Sequence, residues 1–267
     1  MHYSEAKGPC LARSLTQTLF DNEKYFLQID SHMRFIKNWD TELIRQLSQC
    51  PNPSKSILTC YPMGYTLPNE IPTYKYPMLL VATHFSDKDS ILRFSGKIVQ
   101  NCNYKQPILS RFWVSGFSFS HSSVIKDTPY DPSLDYLFFG EEISMTVRLW
   151  TNGYDFYSPT QSIVFHLWKR DYRPNFRENQ KEIDQLKLKE QLEKQSQLKV
   201  LNLLEGALSS DCKYGNGEQR TLEEYQKFSG INFKSKIIDS SAKLGGYSES
   251  FFMNEIMELV IKSKVGL

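Results

Sequence analysis

Apolar side chains recur at helical spacing in a few windows of this chain, each bounded by turn chemistry. Leu11, Leu15 and Leu19 share one face of residues 4–19, and Pro9 sits where a first helical turn tolerates it. After the turn FDNEK, the run YFLQI reads as a strand that ends at Asp30. A second helical period begins at DTELIRQL, with Asp40 or Thr41 placed to cap it. Helix, strand, polar loop, helix is the order of an α/β sheet, in which functional groups gather at the carboxyl ends of strands.

Residues 50–76 are loaded with Pro, Asn and Tyr around one apolar run, SILTCY, which predicts a single strand inside long loops. PMLLVATHF, ILRFSGKIV and ILSRFWVSGFSFSHSSVI are aromatic or β-branched and broken by Gly, so they read as strands. Ile143, Val147 and Trp150 then form a helical stripe that stops at NGY, where Gly153 suits a left-handed cap. SIVFHLWKR follows as a strand. Beyond Pro174 comes a charged helix with an irregular stripe of Ile183, Leu186, Leu192, Leu198 and Leu201 to Leu204, a pattern for packing on a domain surface rather than a coiled coil. Two short amphipathic helices are expected around Gly245 and Gly246, and no internal repeat is visible. The expected organisation is an α/β domain over 1–175 and a helical C-terminal extension over 176–267 packed on it.

Charge narrows the function classes. The 267 residues carry 32 basic and 30 acidic side chains, a formal net charge of +2, so no broad electrostatic footprint points to nucleic acid or an anionic membrane. No stretch approaches the roughly 20 apolar residues of a spanning helix. The five cysteines are scattered without a C-x-x-C pair, and the sole Asn-x-Ser/Thr frame, at Asn52, is blocked by Pro53. A reducing, cytoplasmic setting is the expectation.

The chemistry concentrates where the first strand ends. Asp30 and His32, one position apart, offer a carboxylate oxygen and an imidazole nitrogen, a pair that suits Mn²⁺ or another borderline divalent ion. The competing reading has Asp30 capping the next turn and His32 hydrogen-bonded nearby.

Taken in order, DSH before RFIKNWD, FFGEEISMTVRLWTNGYDFYSP and VFHLWKRDYRP resemble the glycosyltransferases that move N-acetylglucosamine from UDP to polypeptide hydroxyls, hydroxyproline of a ubiquitin-ligase adaptor included. AKGPCLAR and RTLEEYQKFSGINF are similar to further segments of that family, so the resemblance covers most of the chain. More distantly, the layout is similar to the polypeptide N-acetylgalactosaminyltransferases. The resemblance implies a GT-A-type nucleotide-diphospho-sugar transferase fold, a UDP-GlcNAc donor, Mn²⁺, a protein acceptor and transfer with retention of configuration. It implies Asp30, His32 and His166 as metal ligands and Glu141, with Glu142 beside it, facing the sugar and the acceptor hydroxyl. Arg13 is implied as a donor contact, a role for which guanidinium suits diphosphate oxygens; a surface Arg is the alternative. Trp113, Gly116 and Phe117 are candidates for the donor or acceptor pocket, against a core role for the aromatics. Lys169 and Arg170 are candidates for phosphate, against a solvated strand end.

One departure accompanies the resemblance. Family members carry, ahead of the AKGPCLAR-like segment, a stretch that builds the first strands and contacts uridine, so the expected fold is incomplete at its N-terminus. An upstream membrane anchor would move the setting to the Golgi lumen. Two rival functions follow: a non-catalytic relative that binds a polypeptide partner, and a metal-dependent hydrolase that turns over without an acceptor.

Overall fold

The computed structural model describes residues 2, 5–73, 75–101, 103–168, 183–208, 212–254 and 256–258, with side chains of the long C-terminal helix from 187 onward. The first helix, α1 (Pro9–Gln17), starts on Pro as expected. It leads to β1 (Tyr25–Ile29), then β2 (Met33–Phe35) and α2 (Trp39–Ser48). The cap of α2 differs from expectation: Asn38 holds the N-cap position in a left-handed conformation, φ 57°, and Asp40 lies inside the first turn, where its charge meets the positive end of the helix dipole.

The region rich in Pro and Tyr contains β3 (Ser56–Thr59) and a two-residue strand, β4 (Met63–Gly64). Next come the hairpin β5 (Met78–Phe85) and β6 (Leu92–Ile98), then β7 (Ile108–Ser110), β8 (Phe117–His121) and the short α3 (Ser123–Asp127). The segment 108–125, expected as strand broken by Gly, is two strands that part where the chain turns at Ser115 and Gly116, and its end is a helix rather than strand. The helix α4 (Glu141–Thr151) precedes β9 (Asp155–Ser158) and β10 (Val164–His166). Gly153 is left-handed, φ 86°, as the NGY pattern requires.

The main sheet has the order β1-β8-β3-β9-β7; β3 and β9 run parallel and the other neighbours antiparallel. β3 is buried at every position, as befits its central place. In β8, Phe117 and Phe119 face one apolar cluster with Leu43, Leu47, Leu58 and Tyr157. A second sheet, β2-β10-β4, places β10 antiparallel to β2 and parallel to β4. The mixed α/β class expected from the sequence is the class observed.

The helix α4 is buried on almost every face, including Ile143, Val147 and Trp150, and is the pillar of the largest core cluster. The long C-terminal helix α5 (Ile183–Leu204) packs on it, with Val200 and Leu204 in the same core cluster, while its buried Ser196 donates to the Asp135 carbonyl at 2.8 Å. Leu198, expected on the apolar stripe, is 59% exposed, because it lies on the far side of the helix from Ser196 and Val200. Ile183 and Leu186 lie outside the residues whose side chains are described. The tail supplies α6 (Leu222–Ser229), started by a Thr221–Glu224 capping box, and a small hairpin of β11 (Ile231–Asn232) and β12 (Ile237–Ile238) that was not expected. Gly245 and Gly246 form the predicted turn, both at positive φ. Beyond it the chain makes a 3₁₀ turn at Glu249–Phe251, and residues 256–258 are helical, as the second expected helix requires; residues 255 and 259–267 lie outside the described ones.

Candidate metal centre and cleft

Asp30 follows β1, and its N–H donates to the Gly116 carbonyl at 3.3 Å, one rung beyond the Ile29–Phe117 pair. The second sheet then folds His166 back onto it. His166 closes β10, its carbonyl accepts from Tyr65 N–H at 3.2 Å, and Leu167 N–H donates to the His32 carbonyl at 3.2 Å. As a result His32 Nε2 and His166 Nε2 lie 2.8 Å apart, and His166 Nε2 is 3.4 Å from Asp30 Oδ2. Potential ligand atoms of Asp30, His32 and His166 all lie within 4.8 Å of one another. Asp30 and His32 are partly buried and His166 is buried.

One carboxylate oxygen and two imidazole nitrogens form a donor set that fits Mn²⁺ or a similar borderline cation. His166 Nδ1 is buried without a hydrogen-bond partner, whereas ligating imidazoles ordinarily hand their second nitrogen to an oxygen. The ring is steadied instead by Trp168, whose centroid is 4.2 Å away and whose indole N–H donates to the Pro62 carbonyl at 3.2 Å. Burial pushes the Asp30 carboxyl up, but the His166 hydrogen bond and the charge of Arg13 outweigh it and hold the group below the ordinary carboxylate range.

Arg13, from the middle of α1, joins the metal centre to α4. Nη2 donates to Asp30 Oδ1 at 3.1 Å, and Nη1 forms an ion pair with Glu141 Oε1. Both Nη groups are therefore committed to carboxylates, and the side chain is 15% exposed, so the surface reading of Arg13 is replaced by an interior one. Glu141 is the first residue of α4 and is held there by Gly140 in a left-handed conformation, φ 115°. A Cβ on Gly140 would stand 3.1 Å from Ile91 Cδ1 and 3.3 Å from Leu137 Cδ1. The entrance to α1 is tied to the same region: Lys7 Nζ bonds Asp135 Oδ2 at 3.0 Å, and Tyr136 N–H donates to the Lys7 carbonyl at 2.6 Å.

Glu142 faces a different set of partners. Its Oε1 accepts from Ser115 N–H at 3.1 Å and its Oε2 from the Tyr61 hydroxyl at 2.7 Å. Burial pushes the Glu142 carboxyl up to about 7 against these two bonds, which favour the ionised form, while the neighbouring Glu141 charge adds to the rise. Two adjacent acids thus differ in kind: one is ion-paired to Arg13, the other titrates near neutrality.

Arg13, Asp30, Gly116, Glu141, Glu142 and His166 all line one cleft of about 1320 Å³, walled by Tyr61, Arg93, Phe94, Phe138, Phe139 and Trp168 and bordered by Lys189 and Glu193 of α5. Gly116 has a local reason to lack a side chain, since a Cβ there would lie 3.3 Å from Asp30 Oδ2. Trp113 is not brought to the cleft: it is 2% exposed within the core, and its indole N–H donates to Ser118 Oγ at 2.9 Å. Phe117 likewise packs in the core with Leu58 and Phe119. Lys169 and Arg170 lie outside the described residues. Sequence reasoning missed Tyr61, Ser115 and Tyr130. It also missed Gln28, whose only signal was a lone amide inside the apolar run YFLQI, where it is 7% exposed.

The family profile described as "Glycosyltransferase (GlcNAc)" matches residues 1–235. The chain belongs to that glycosyltransferase family. No curated protein matches it. Among solved structures it is similar to one described as "Crystal structure of GalNAc-T7 with UDP, GalNAc and Mn2+", at 14% identity and a TM-score of 0.49, over 83% of this chain and 41% of that one. This member of the family thus spans about two-fifths of the length of that solved chain. Among its described residues no helix is long and apolar enough to cross a membrane.

Proposed function

We propose that the chain is a retaining, metal-dependent glycosyltransferase with a GT-A-type catalytic domain, and that it moves N-acetylglucosamine from UDP-GlcNAc to a Ser, Thr or hydroxyproline hydroxyl of a protein. The observation that carries the reading is the convergence of Asp30, His32 and His166, two of which, Asp30 and His166, line the same cleft as Glu141 and Arg13. These three residues would hold Mn²⁺, which supplies neutralisation of the charge that develops on departing UDP. Arg13 holds the Asp30 and Glu141 carboxylates in place and sets a permanent positive charge beside an anionic donor. Glu141 orients the acceptor hydroxyl. The acceptor hydroxyl oxygen bonds to the anomeric carbon as the bond from that carbon to the diphosphate breaks, and the hydroxyl proton passes to the departing diphosphate on the same face. No protein nucleophile is needed. The thiols Cys10, Cys50, Cys60 and Cys212 are free, which accords with a reducing, cytoplasmic setting.

The test is calorimetric titration of the folded chain with UDP-GlcNAc, with and without Mn²⁺. Saturable heat that needs Mn²⁺ and is lost in Asp30→Ala and His32→Ala is the expected result. A folded chain that binds no donor in the presence of metal overturns the proposal and leaves a polypeptide-binding relative as the reading to pursue. Turnover of donor at the same rate with and without protein acceptor would point to hydrolysis instead.

A further inference from the structure

We infer that Gln28 and Tyr130 are positioning residues of the transfer reaction, holding the Glu141 carboxylate so that Oε2 is the oxygen offered to the substrate. The inference rests on the glycosyltransferase reading above and adds two residues that no sequence motif marked.

The direction of every hydrogen bond in this set follows from elementary chemistry. Gln28 Nε2 lies 2.9 Å from the Ser115 carbonyl oxygen, which can only accept, so the atom facing it must be the amide nitrogen. The same nitrogen lies 2.9 Å from the Tyr130 hydroxyl. An amide NH₂ has two protons to give and takes none, so it donates to both, and the hydroxyl is an acceptor on that side. The Tyr130 proton is thereby directed to Glu141 Oε1, 2.9 Å away. Arg13 Nη1 donates to that same oxygen. Oε1 thus receives two donors, while Oε2 receives none among the described residues, in a side chain that lines the cleft.

The arrangement is built to stay put. Tyr130 is 3% exposed and Gln28 7%, so water has little access to replace either bond. Tyr130 N–H is fixed by Gln17 Oε1 at 2.9 Å, and the preceding Pro129 carbonyl accepts from Arg148 Nη2 at 2.8 Å. Gln28 also acts on the metal side of the cleft, because the Ser115 carbonyl it holds is next to Gly116, whose carbonyl receives the Asp30 N–H. One buried amide therefore sets both the loop beneath the metal centre and the hydroxyl that aims Glu141.

Tyr130→Phe keeps the ring and removes only the hydroxyl. With UDP-GlcNAc and Mn²⁺, the expected result is a fall in kcat of about ten- to a hundredfold, the range of a hydrogen bond to a charged group. Donor KM should stay within about twofold, and the variant should remain folded at the assay temperature. Gln28→Met, of similar length but without donors, should reproduce the loss. A crystal structure of Tyr130→Phe should show the Glu141 carboxylate turned from its wild-type orientation. Unchanged kcat, or a loss no larger than the unfolded fraction explains, overturns the inference. So does an unmoved Glu141 in the crystal, and that readout decides the matter even if the wild-type chain shows no turnover, an outcome that would count against the functional reading alone.

Discussion

Replacing Glu142 by Gln should change how the stability of this protein depends on pH, and the change can be sized from the structure. In the native state the carboxyl titrates near 7, against an ordinary value of 4.5, chiefly because folding removes it from water. Below the lower value both native and unfolded chains hold the proton, so the group contributes no pH dependence. Between 4.5 and 7 the native chain keeps a proton that the unfolded chain has lost, and stability falls as pH rises; above 7 the loss is complete. At about 1.4 kcal/mol per tenfold step, the full loss is about 3 kcal/mol, an upper bound because the side chain keeps some contact with the cleft. Gln is uncharged throughout. It can accept from Ser115 N–H through its oxygen and donate to Tyr61, whose hydroxyl rotates to accept. Urea denaturation of the wild type and Glu142→Gln, both metal-free in EDTA, should therefore show the difference in unfolding free energy moving in favour of the variant by about 2 kcal/mol between about pH 5 and pH 8. A difference that stays flat over that range would refute the argument, since every other titrating group is common to both proteins.

Arg13→Met should destabilise the fold by about 3–5 kcal/mol, because Glu141, 4% exposed at its side chain, loses its cation while remaining in the interior; thermal denaturation reads this directly, and a change below about 1 kcal/mol would mean the pair is solvated. Trp113→Phe should cost about 1–3 kcal/mol, through lost packing and an unpaired Ser118, yet give the same calorimetric titration with UDP-GlcNAc and Mn²⁺ as the wild type. A clear loss of affinity at wild-type stability would return Trp113 to the donor site.

The elements that were legible in the sequence are those whose pattern is local. Leu11, Pro9 and the run YFLQI announce α1 and β1, and the EISMTVRLWTNG segment announces α4 and its left-handed stop, because period and capping act within a few residues. The metal candidates were legible for a different reason: Asp30 and His32 stand together, and His166 was reached through the family resemblance. What stayed hidden depends on contacts between distant segments. Nothing in TPYDPS marks Tyr130, whose importance comes from meeting Gln28 and Glu141 in space. Trp113 reads as a pocket aromatic beside Gly116, but the turn at Ser115 sends the glycine to the cleft and the indole to the core. The exposed Leu198 shows the same limit, since which face of α5 is covered is set by α4 rather than by α5 alone.

The three-residue strand β10 gives the candidate metal centre a history as well as a place. His166 is 134 residues downstream of His32, and it reaches the centre only by threading between β2 and β4. A nascent chain, or a proteolytic fragment ending before Val164, therefore holds two of the candidate ligand residues but not the third. Closing so long a loop is among the slow steps of folding. A cation that binds the finished triad would bind the unfolded chain far more weakly, and at a free concentration about one hundred times its dissociation constant it would add about 2.7 kcal/mol to stability. A cation held by this triad would then act as a late clasp, reporting that the last strand has docked.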